Sequence, residues 1–162
     1  MLGNILGCAA LLQEKHVSVY TSLAAAPQEA MVFCDIIISN MAIDFPRVSE
    51  PDILMAFSQD AYKEHILGVG EDAVVFYDPL FVKPAHGACH YAVAAADAAQ
   101  KELKTIADAS LAFLSCVVRA TRIVSLDALT KSVRVTQPPS SLLTYLKAVD
   151  LGIRVAKKVK YP

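Results

Sequence analysis

Five polar residues stand where predicted strands end: Thr21, Ser22, Ser58, Gln59 and Asp78. Parallel α/β sheets bind ligands beyond the carboxyl ends of their strands, so the predicted positions of these side chains make them candidates for ligand contact. Each also suits a structural role, because Ser58 precedes a predicted helix that it can cap and Asp78 stands before a proline in a turn. The sequence favours capping and turn formation at these positions over ligand binding.

Potential metal ligands are most concentrated at 86–90, where the sequence reads HGACH. On a strand, His86 and His90 lie on one side while Cys89 points to the other, whereas a structural zinc site needs four converging ligands. The segment is therefore interpreted as a turn with a solvent-facing histidine, and no metal site is predicted.

The remaining residues with reactive side chains form no catalytic motif. The cysteines contain no C-x-x-C pair, which excludes the common iron–sulfur and zinc-ribbon spacings. They are Cys8, Cys34, Cys89 and Cys116, and we expect them to be reduced and mostly buried. No G-x-S-x-G elbow is present, and the G-x-G at 68–70 precedes a strand instead of opening a helix. No catalytic residue is predicted in this chain.

Composition and charge exclude several classes of protein. Lys and Arg together number 15 against 16 acidic residues, so no basic field is available to attract nucleic acid. After the apolar N-terminal segment, the longest apolar stretch is 109–118, which is far shorter than the roughly 20 residues that span a bilayer. Residues 1–12 contain a box like that of bacterial lipoproteins, but no charged residue and no sufficient apolar stretch precede Cys8. A cytoplasmic protein without membrane or nucleic-acid partners is predicted.

The elements that must position these residues begin with a helical segment and continue as alternating strands and helices. Strands are predicted at 17–20, 31–39, 52–58, 73–77 and 88–93. A helix at 59–66 lies between the third and fourth of these strands, and this β–α–β order predicts a parallel crossover. The strands at 52–58 and 73–77 are continuously apolar, which is typical of a sheet covered on both faces.

The rest of the chain is predicted to be helical. Residues 94–103 are rich in alanine, and 104–121 is apolar on several faces, which indicates a helix that is buried or lies at an interface. Ser125 is expected to cap the next helix, two prolines end it, and a last helix begins at one of the serines that follow them. The predicted fold class is α/β, with a small, mainly parallel, Rossmann-like sheet, flanking helices and a helical C-terminal tail in a single domain over 1–162.

Three stretches of the chain, taken together, form a family pattern. They are CDIIIS at 34–39 continuing to DIL at 52–54 and SQ at 58–59, VVFYD at 74–78, and AAAD at 94–97 followed by IVSLDAL at 123–129. In order and spacing they resemble the gamma-type subunits of the 2-oxoacid:ferredoxin oxidoreductases that act on pyruvate, 2-oxoisovalerate or 2-oxoglutarate.

The resemblance implies an α/β domain packed beside chains that bind thiamine diphosphate and iron–sulfur clusters. The family oxidatively decarboxylates a 2-oxoacid to its acyl-coenzyme A and passes the electrons to ferredoxin, and the resemblance implies that the gamma-type domain lies near the coenzyme A path. This chain would then be a non-catalytic subunit with no cofactor of its own. Its partners would be the thiamine-binding and iron–sulfur subunits, with self-association as a further expectation.

Two departures from the family pattern bear on ligand binding. Family members carry a G-x-G-G-Q-G loop that opens the first helix, whereas this sequence starts at or inside that helix. An arginine-glycine-glycine turn of the family corresponds here to AAPQEA at 25–30, which weakens the expectation of ligand contact there. Without the opening strand, neighbouring sheet edges would be exposed, and a partner or a swapped element would fill the gap. An oligomeric or poorly stable isolated chain is expected.

Two other functions are compatible with the same residues. One is a stand-alone, degenerate nucleotide-binding fold that serves as a scaffold. The other is the small subunit of an indolepyruvate oxidoreductase. The sequence does not specify which 2-oxoacid the complex would use, because substrate contacts would lie on other chains.

Overall fold

The chain alternates helices and strands in a computed structural model that describes residues 1–25, 30–85 and 89–161. The strands are β1 His16–Ala25, β2 Ala30–Ser39, β3 Ile53–Ala56, β4 Val74–Tyr77 and β5 His90–Ala92. The helices are α1 Leu2–Leu11, α2 Gln59–His65, α3 Ala95–Glu102, α4 Ala109–Thr121, α5 Leu126–Thr136 and α6 Pro139–Ala156, with a 3₁₀ turn at Ile66–Gly68. The predicted α/β class is confirmed.

Strands β3, β4 and β5 form a parallel sheet with β4 in the middle. Successive side chains of a strand point to opposite faces, and both faces of β4 are covered. Val75 packs on one face with Tyr62 of α2, while Phe76 packs on the other with Phe113 of α4. This double cover explains the continuous apolar sequence of β4 and confirms the predicted parallel β–α–β unit.

Strands β1 and β2 form a separate, antiparallel pair, with His16 opposite Ser39 and Ala25 opposite Ala30. The sequence predicted a first strand at 17–20 only, and this length was wrong. The ten-residue ladder with β2 extends β1 through alanine-rich sequence whose own strand propensity is low, because each paired residue gains backbone hydrogen bonds. Thr21 and Ser22 therefore lie inside β1 and not at its end.

Helix α4 is the centre of the helical layer, and its residues 111–118 are all buried. Its apolar composition predicted this position, but the helix begins at Ala109 instead of residue 104. Lys104 has a φ of 60°, a left-handed conformation that follows α3 and cannot continue a helix. Helix α6 lies very close to α4, because a Cβ atom at Gly152 would stand only 2.0 Å from the carbonyl oxygen of Ala112.

The ends of the helices follow local chemistry. The Oγ of Ser125 accepts a hydrogen bond from the Ala128 N–H at 3.1 Å, which confirms the predicted cap of α5. Helix α6 begins at Pro139 itself, since proline lacks an N–H and suits the first turn.

Three exposed residues that follow helices have left-handed backbone conformations, with φ between 56° and 60°: Glu14, Lys104 and Arg122. Glycine is the usual residue at such positions, because it has no Cβ to clash with the backbone.

Across the described ranges, none of the helices has both the length and the apolar character needed to cross a membrane.

Candidate functional site

Ser58 and Gln59 lie at the carboxyl end of the parallel sheet, as the sequence predicted. The Oγ of Ser58 caps α2 by accepting a hydrogen bond from the Ala61 N–H at 3.3 Å. The side chain of Gln59 accepts from the Lys83 N–H at 2.7 Å and donates to the Lys83 carbonyl oxygen at 3.3 Å. Both side chains thus form hydrogen bonds with backbone groups of the same chain.

Asp78 directly follows β4 and is almost fully buried, with 2% of its surface exposed. One carboxylate oxygen accepts from the Leu80 N–H at 3.0 Å, and the other accepts from the Ala96 N–H at 2.8 Å. Ala96 belongs to the first turn of α3, where unpaired N–H groups and the helix dipole favour a negative charge. Asp78 therefore joins the end of β4 to the start of α3.

Thr21 and Ser22, the other two predicted positions, lie in the middle of the β1–β2 pair. The Thr21 hydroxyl donates to the Sγ of Cys34 on the neighbouring strand over 3.6 Å. Of the five predicted residues, Thr21 and Ser58 line one common cleft, whereas Ser22, Gln59 and Asp78 do not border it. The structure therefore does not unite the five into a single site.

This cleft separates β2 from β3 and has a volume of about 1980 Å³. Its walls are the consecutive residues 32–40, which include most of β2, and 47–58, which include the end of the β2–β3 linker and all of β3. Apolar side chains of the helices also line it: Leu6 of α1, and Leu114, Val117 and Val118 of α4. Pockets for small ligands usually measure about 300–1,000 Å³, so the cleft is larger than a small molecule requires.

An ion pair fixes the linker that joins β2 to β3 along this cleft. The Nε of Arg47 lies 3.1 Å from a carboxylate oxygen of Asp35, and its guanidinium carbon lies 3.8 Å above the centre of the Tyr20 ring. Asp35 and Arg47 both line the cleft. The pair and the cation–π contact hold the linker against the β1–β2 sheet.

The structure also brings together two side chains that sequence reasoning did not connect. The hydroxyl of Tyr62, which is 2% exposed, lies 3.0 Å from the Nε2 of His90 and accepts from the Ala85 N–H at 3.0 Å. His90 is half-buried in β5, inside the strand predicted at 88–93, while His86 falls outside the described residues. Within the described ranges no three potential metal-ligating side chains converge.

The four cysteines differ in their surroundings. Cys116 of α4 is fully buried, and this burial raises the pKa of its thiol to about 12, so it stays protonated at neutral pH. Cys34 is exposed on the cleft wall, contrary to the expectation of mostly buried thiols, and Cys8 and Cys89 are half-buried. No chemistry beyond structural packing is assigned to Cys116.

Solved structures of other proteins share the overall fold of this chain. The gamma subunit of a keto/oxoacid ferredoxin oxidoreductase from Geobacter sulfurreducens superimposes with a TM-score of 0.80 at 24% identity, covering 97% of this chain and 90% of that one. The pyruvate oxidoreductase subunit PORC from Thermotoga maritima gives 0.74 at 24%, covering 98% and 88%. At these identities the likeness establishes the fold.

Sequence comparison then identifies the family. The pyruvate ferredoxin/flavodoxin oxidoreductase family model matches residues 1–158. The 2-oxoglutarate synthase subunit KorC of Methanocaldococcus jannaschii is 30% identical, covering 98% of this chain and 88% of its own length. KorC of Methanothermobacter thermautotrophicus is 25% identical over 94% of this chain and 85% of its length. The chain belongs to the pyruvate ferredoxin/flavodoxin oxidoreductase family, and its resemblance to the gamma-type subunits is confirmed.

Proposed function

We propose that this chain, as one domain over 1–162, is the catalytically passive gamma subunit of a 2-oxoacid:ferredoxin oxidoreductase. The match of the family model to residues 1–158 carries this proposal. In the complex, thiamine diphosphate, iron–sulfur clusters and coenzyme A would be bound mainly by partner chains. The subunit would act in the cytoplasm, where the 2-oxoacid and ferredoxin are available.

The passive role is supported by what the predicted polar side chains do. Ser58, Gln59 and Asp78 each form hydrogen bonds with backbone groups of this chain. These bonds pair backbone N–H groups in the helix ends and loops around the parallel sheet. Ligand contact by these residues, and by Thr21 and Ser22, stays a prediction for the assembled complex.

The 2-oxoacid is proposed to be 2-oxoglutarate. Relatives that cover at least 94% of this chain carry the name 2-oxoglutarate synthase subunit. A ketoisovalerate oxidoreductase subunit of Methanothermobacter marburgensis is 31% identical, but it matches only 48% of the chain. Coverage therefore favours 2-oxoglutarate over a branched-chain 2-oxoacid.

Co-expression tests the proposal. The chain, carrying an affinity tag and expressed with its neighbouring genes, should recover thiamine- and cluster-binding subunits. The assembled complex should reduce ferredoxin or a viologen dye with 2-oxoglutarate and coenzyme A, while the isolated chain should show no turnover. Recovery of the chain alone as a stable monomer would favour the scaffold function instead.

A panel of 2-oxoacids tests the substrate separately. Pyruvate, 2-oxoisovalerate and indolepyruvate should each support a kcat/KM at least tenfold lower than 2-oxoglutarate does. A complex that prefers indolepyruvate would reject the proposed substrate and identify the chain with the alternative small subunit, without affecting its assignment as a subunit.

A further inference from the structure

Strand β1 has an outer edge, opposite to the edge that pairs with β2. Within the described residues, β1 pairs only with β2, and its backbone forms no backbone hydrogen bond with another element. In an antiparallel ladder, alternate residues direct both backbone groups to the same neighbour, so every second residue of β1 presents its N–H and C=O at the outer edge. Such a row of groups can pair with another strand.

This edge lacks the features that usually prevent strand pairing. Natural edge strands are protected by charged side chains, prolines, bulges or short length. Residues 17–25 contain neither a charged residue nor a proline. All ten residues of β1 pair one-to-one with β2, so no bulge twists the strand away. Strand β1 therefore offers a regular, uncharged edge of ten residues.

Neighbouring elements cover the faces of β1 and leave this edge accessible. Helix α1 packs on one face, where a Cβ at Gly7 would lie 2.9 Å from a methyl carbon of Val19. The β2–β3 linker lies on the other face, where the Ser18 hydroxyl donates to the Pro46 carbonyl oxygen at 3.1 Å. Val19 and Tyr20 nevertheless remain 37% and 40% exposed. A strand that pairs at the edge would bury these exposed parts.

The sequence of β1 is self-complementary about Tyr20. When two copies of one strand pair antiparallel across a two-fold axis, directly opposite residues lie on the same face, so the pairing centres on one residue. With Tyr20 at this centre, residues of similar chemistry meet. The pairs are Tyr20 with Tyr20, Val19 with Thr21, and Ser18 with Ser22. Aromatic, β-branched and hydroxyl pairs of this kind stabilise antiparallel sheets.

The charges near the axis are compatible with this pairing. The Arg47 guanidinium above the Tyr20 ring lies 3.1 Å from a carboxylate oxygen of Asp35, so its charge is compensated within its own copy. Lys15, which precedes the strand, would stand opposite Ala25 of the other copy. The pairing thus avoids like charges directly opposite each other, which destabilise a sheet.

A second copy matches the outer edge better than other segments do. The large cleft borders the opposite edge of the strand pair, along β2, and Thr21 is the only described residue of β1 that lines it. Met1, Leu2 and Gly3 also line the cleft, so residues before Met1 in a longer chain would start beside the cleft. A second β1, by contrast, supplies the matching sequence by symmetry.

We propose that two copies of this chain pair through the outer edges of β1, antiparallel and centred on Tyr20. The product is one four-stranded sheet in the order β2–β1–β1–β2. In an assembled complex, this pair would relate two sets of subunits by a two-fold axis. The pairing does not depend on the identity of that complex, so it can fail while the proposed function stands.

Engineered disulfides test the pairing and its register. In a Cys34→Ala background, Tyr20→Cys places two thiols opposite each other, at a Cα separation of about 4.5–5.5 Å that a disulfide can span. Ser18→Cys and Ser22→Cys are opposite each other, but each lies four residues, or about 14 Å, from its own equivalent. On mild oxidation, Tyr20→Cys should give at least tenfold more disulfide-linked dimer than either serine variant alone. A mixture of the two serine variants should recover dimer.

A charge at the axis provides an independent test. Tyr20→Lys puts two positive charges directly opposite each other, whereas Tyr20→Phe keeps the aromatic pair. Sedimentation should show a dimer dissociation constant at least tenfold higher for Tyr20→Lys than for Tyr20→Phe, with far-UV circular dichroism verifying that both fold. Equal dissociation constants in two folded variants would contradict the proposal.

Photo-cross-linking in the complex expressed with its neighbouring genes identifies the occupant of the edge. With p-benzoylphenylalanine in place of Tyr20, we expect a product of twice the chain's mass that joins residues 16–24 of two copies. A cross-link to a partner subunit, to another segment of the same polypeptide or to nothing would overturn the proposal. Serine variants that link as well alone as Tyr20→Cys does would also overturn it. If no complex is recovered, the proposed function fails, and the disulfide test on the isolated chain still decides the pairing.

Discussion

The carboxylate of Asp78 lies where a parallel α/β sheet usually contacts its ligand, yet both oxygens accept backbone N–H groups of the same chain. Its position at the strand end was predictable because an aspartate directly follows an apolar run. Its partner Ala96 was not, since 18 residues separate the two in sequence. Location at the carboxyl edge is therefore insufficient to assign a ligand contact.

Replacing Asp78 by alanine should destabilise the chain by about 1–3 kcal/mol, which is the cost of leaving one buried N–H without an acceptor. The group left without an acceptor in the protein interior is the N–H of Ala96, a residue that is fully buried. Urea unfolding measures the change.

Asp97→Ala is the matched control, since Asp97 is an acidic residue within the first turn of α3, the same turn that Asp78 contacts from the end of β4. Its side chain is 57% exposed and pairs with Lys101, so the expected loss is below about 0.5 kcal/mol. Equal losses in both variants would show that Asp78 acts only through its charge at the helix end.

Because Cys116 is buried, the folding stability of the chain should depend on pH in the alkaline range. The pKa of its thiol is raised from 9.0 to about 12 in the folded chain, so above pH 9 the unfolded state loses a proton that the folded state keeps. Folding stability should therefore fall between pH 9 and 12, by at most about 1.4 kcal/mol per pH unit from this group.

Comparing the unfolding free energies of Cys116→Ala and Cys34→Ala from pH 8 to 11 isolates that contribution. The steeper decline should persist in the Cys34 variant, whose thiol is exposed, and be absent from the Cys116 variant. In native protein at pH 8, Cys34 should also react with a thiol reagent much faster than Cys116. Parallel pH profiles for the two variants would contradict the assignment.

Among the elements, those with local signals were predictable. The cap at Ser125 and the β3–α2–β4 unit follow from a serine before an apolar stripe and from two apolar runs around a helix. The antiparallel pairing of β1 with β2 was not predictable, because 25–30 lacks the Asn-Gly or Asp-Gly signal of a tight hairpin. The start of α4 was missed because a left-handed conformation at Lys104 has no signature in a lysine side chain.

The contact between α4 and α6 depends on one missing side chain. A Cβ at Gly152 would lie 2.0 Å from the Ala112 carbonyl oxygen and 2.7 Å from the Ser115 Cβ, so Gly152→Ala must push the helices apart. We expect a loss of about 2–3 kcal/mol, although alanine has the higher helix propensity. Thermal unfolding followed by circular dichroism measures it.

Gly70→Ala is the control for this change, because no atom lies within 4 Å of the position of its Cβ. Its stability should stay within about 0.5 kcal/mol of that of the parent chain. A neutral Gly152 variant would mean that the two helices separate at little cost.

For the whole molecule, two sheet edges that have no partner strand among the described residues border a large cleft, and they predict a chain that is oligomeric or poorly stable in isolation. The isolated chain should bind a hydrophobic dye such as ANS and elute from size-exclusion chromatography as oligomers or aggregates. The Tm of the chain should rise by at least 5 °C in the assembled complex, because a partner that binds only the folded state stabilises it. A sharp monomer peak without dye binding would contradict this expectation.

The left-handed residues after α1, α3 and α4 have a consequence for engineering. Glu14, Lys104 and Arg122 are exposed, so glycine at these positions removes Cβ strain without disturbing packing. Each replacement should add up to about 1 kcal/mol of stability, measured by the urea midpoint. The thermal stability of the chain can therefore be raised at three helix ends. These substitutions would leave the cleft unchanged.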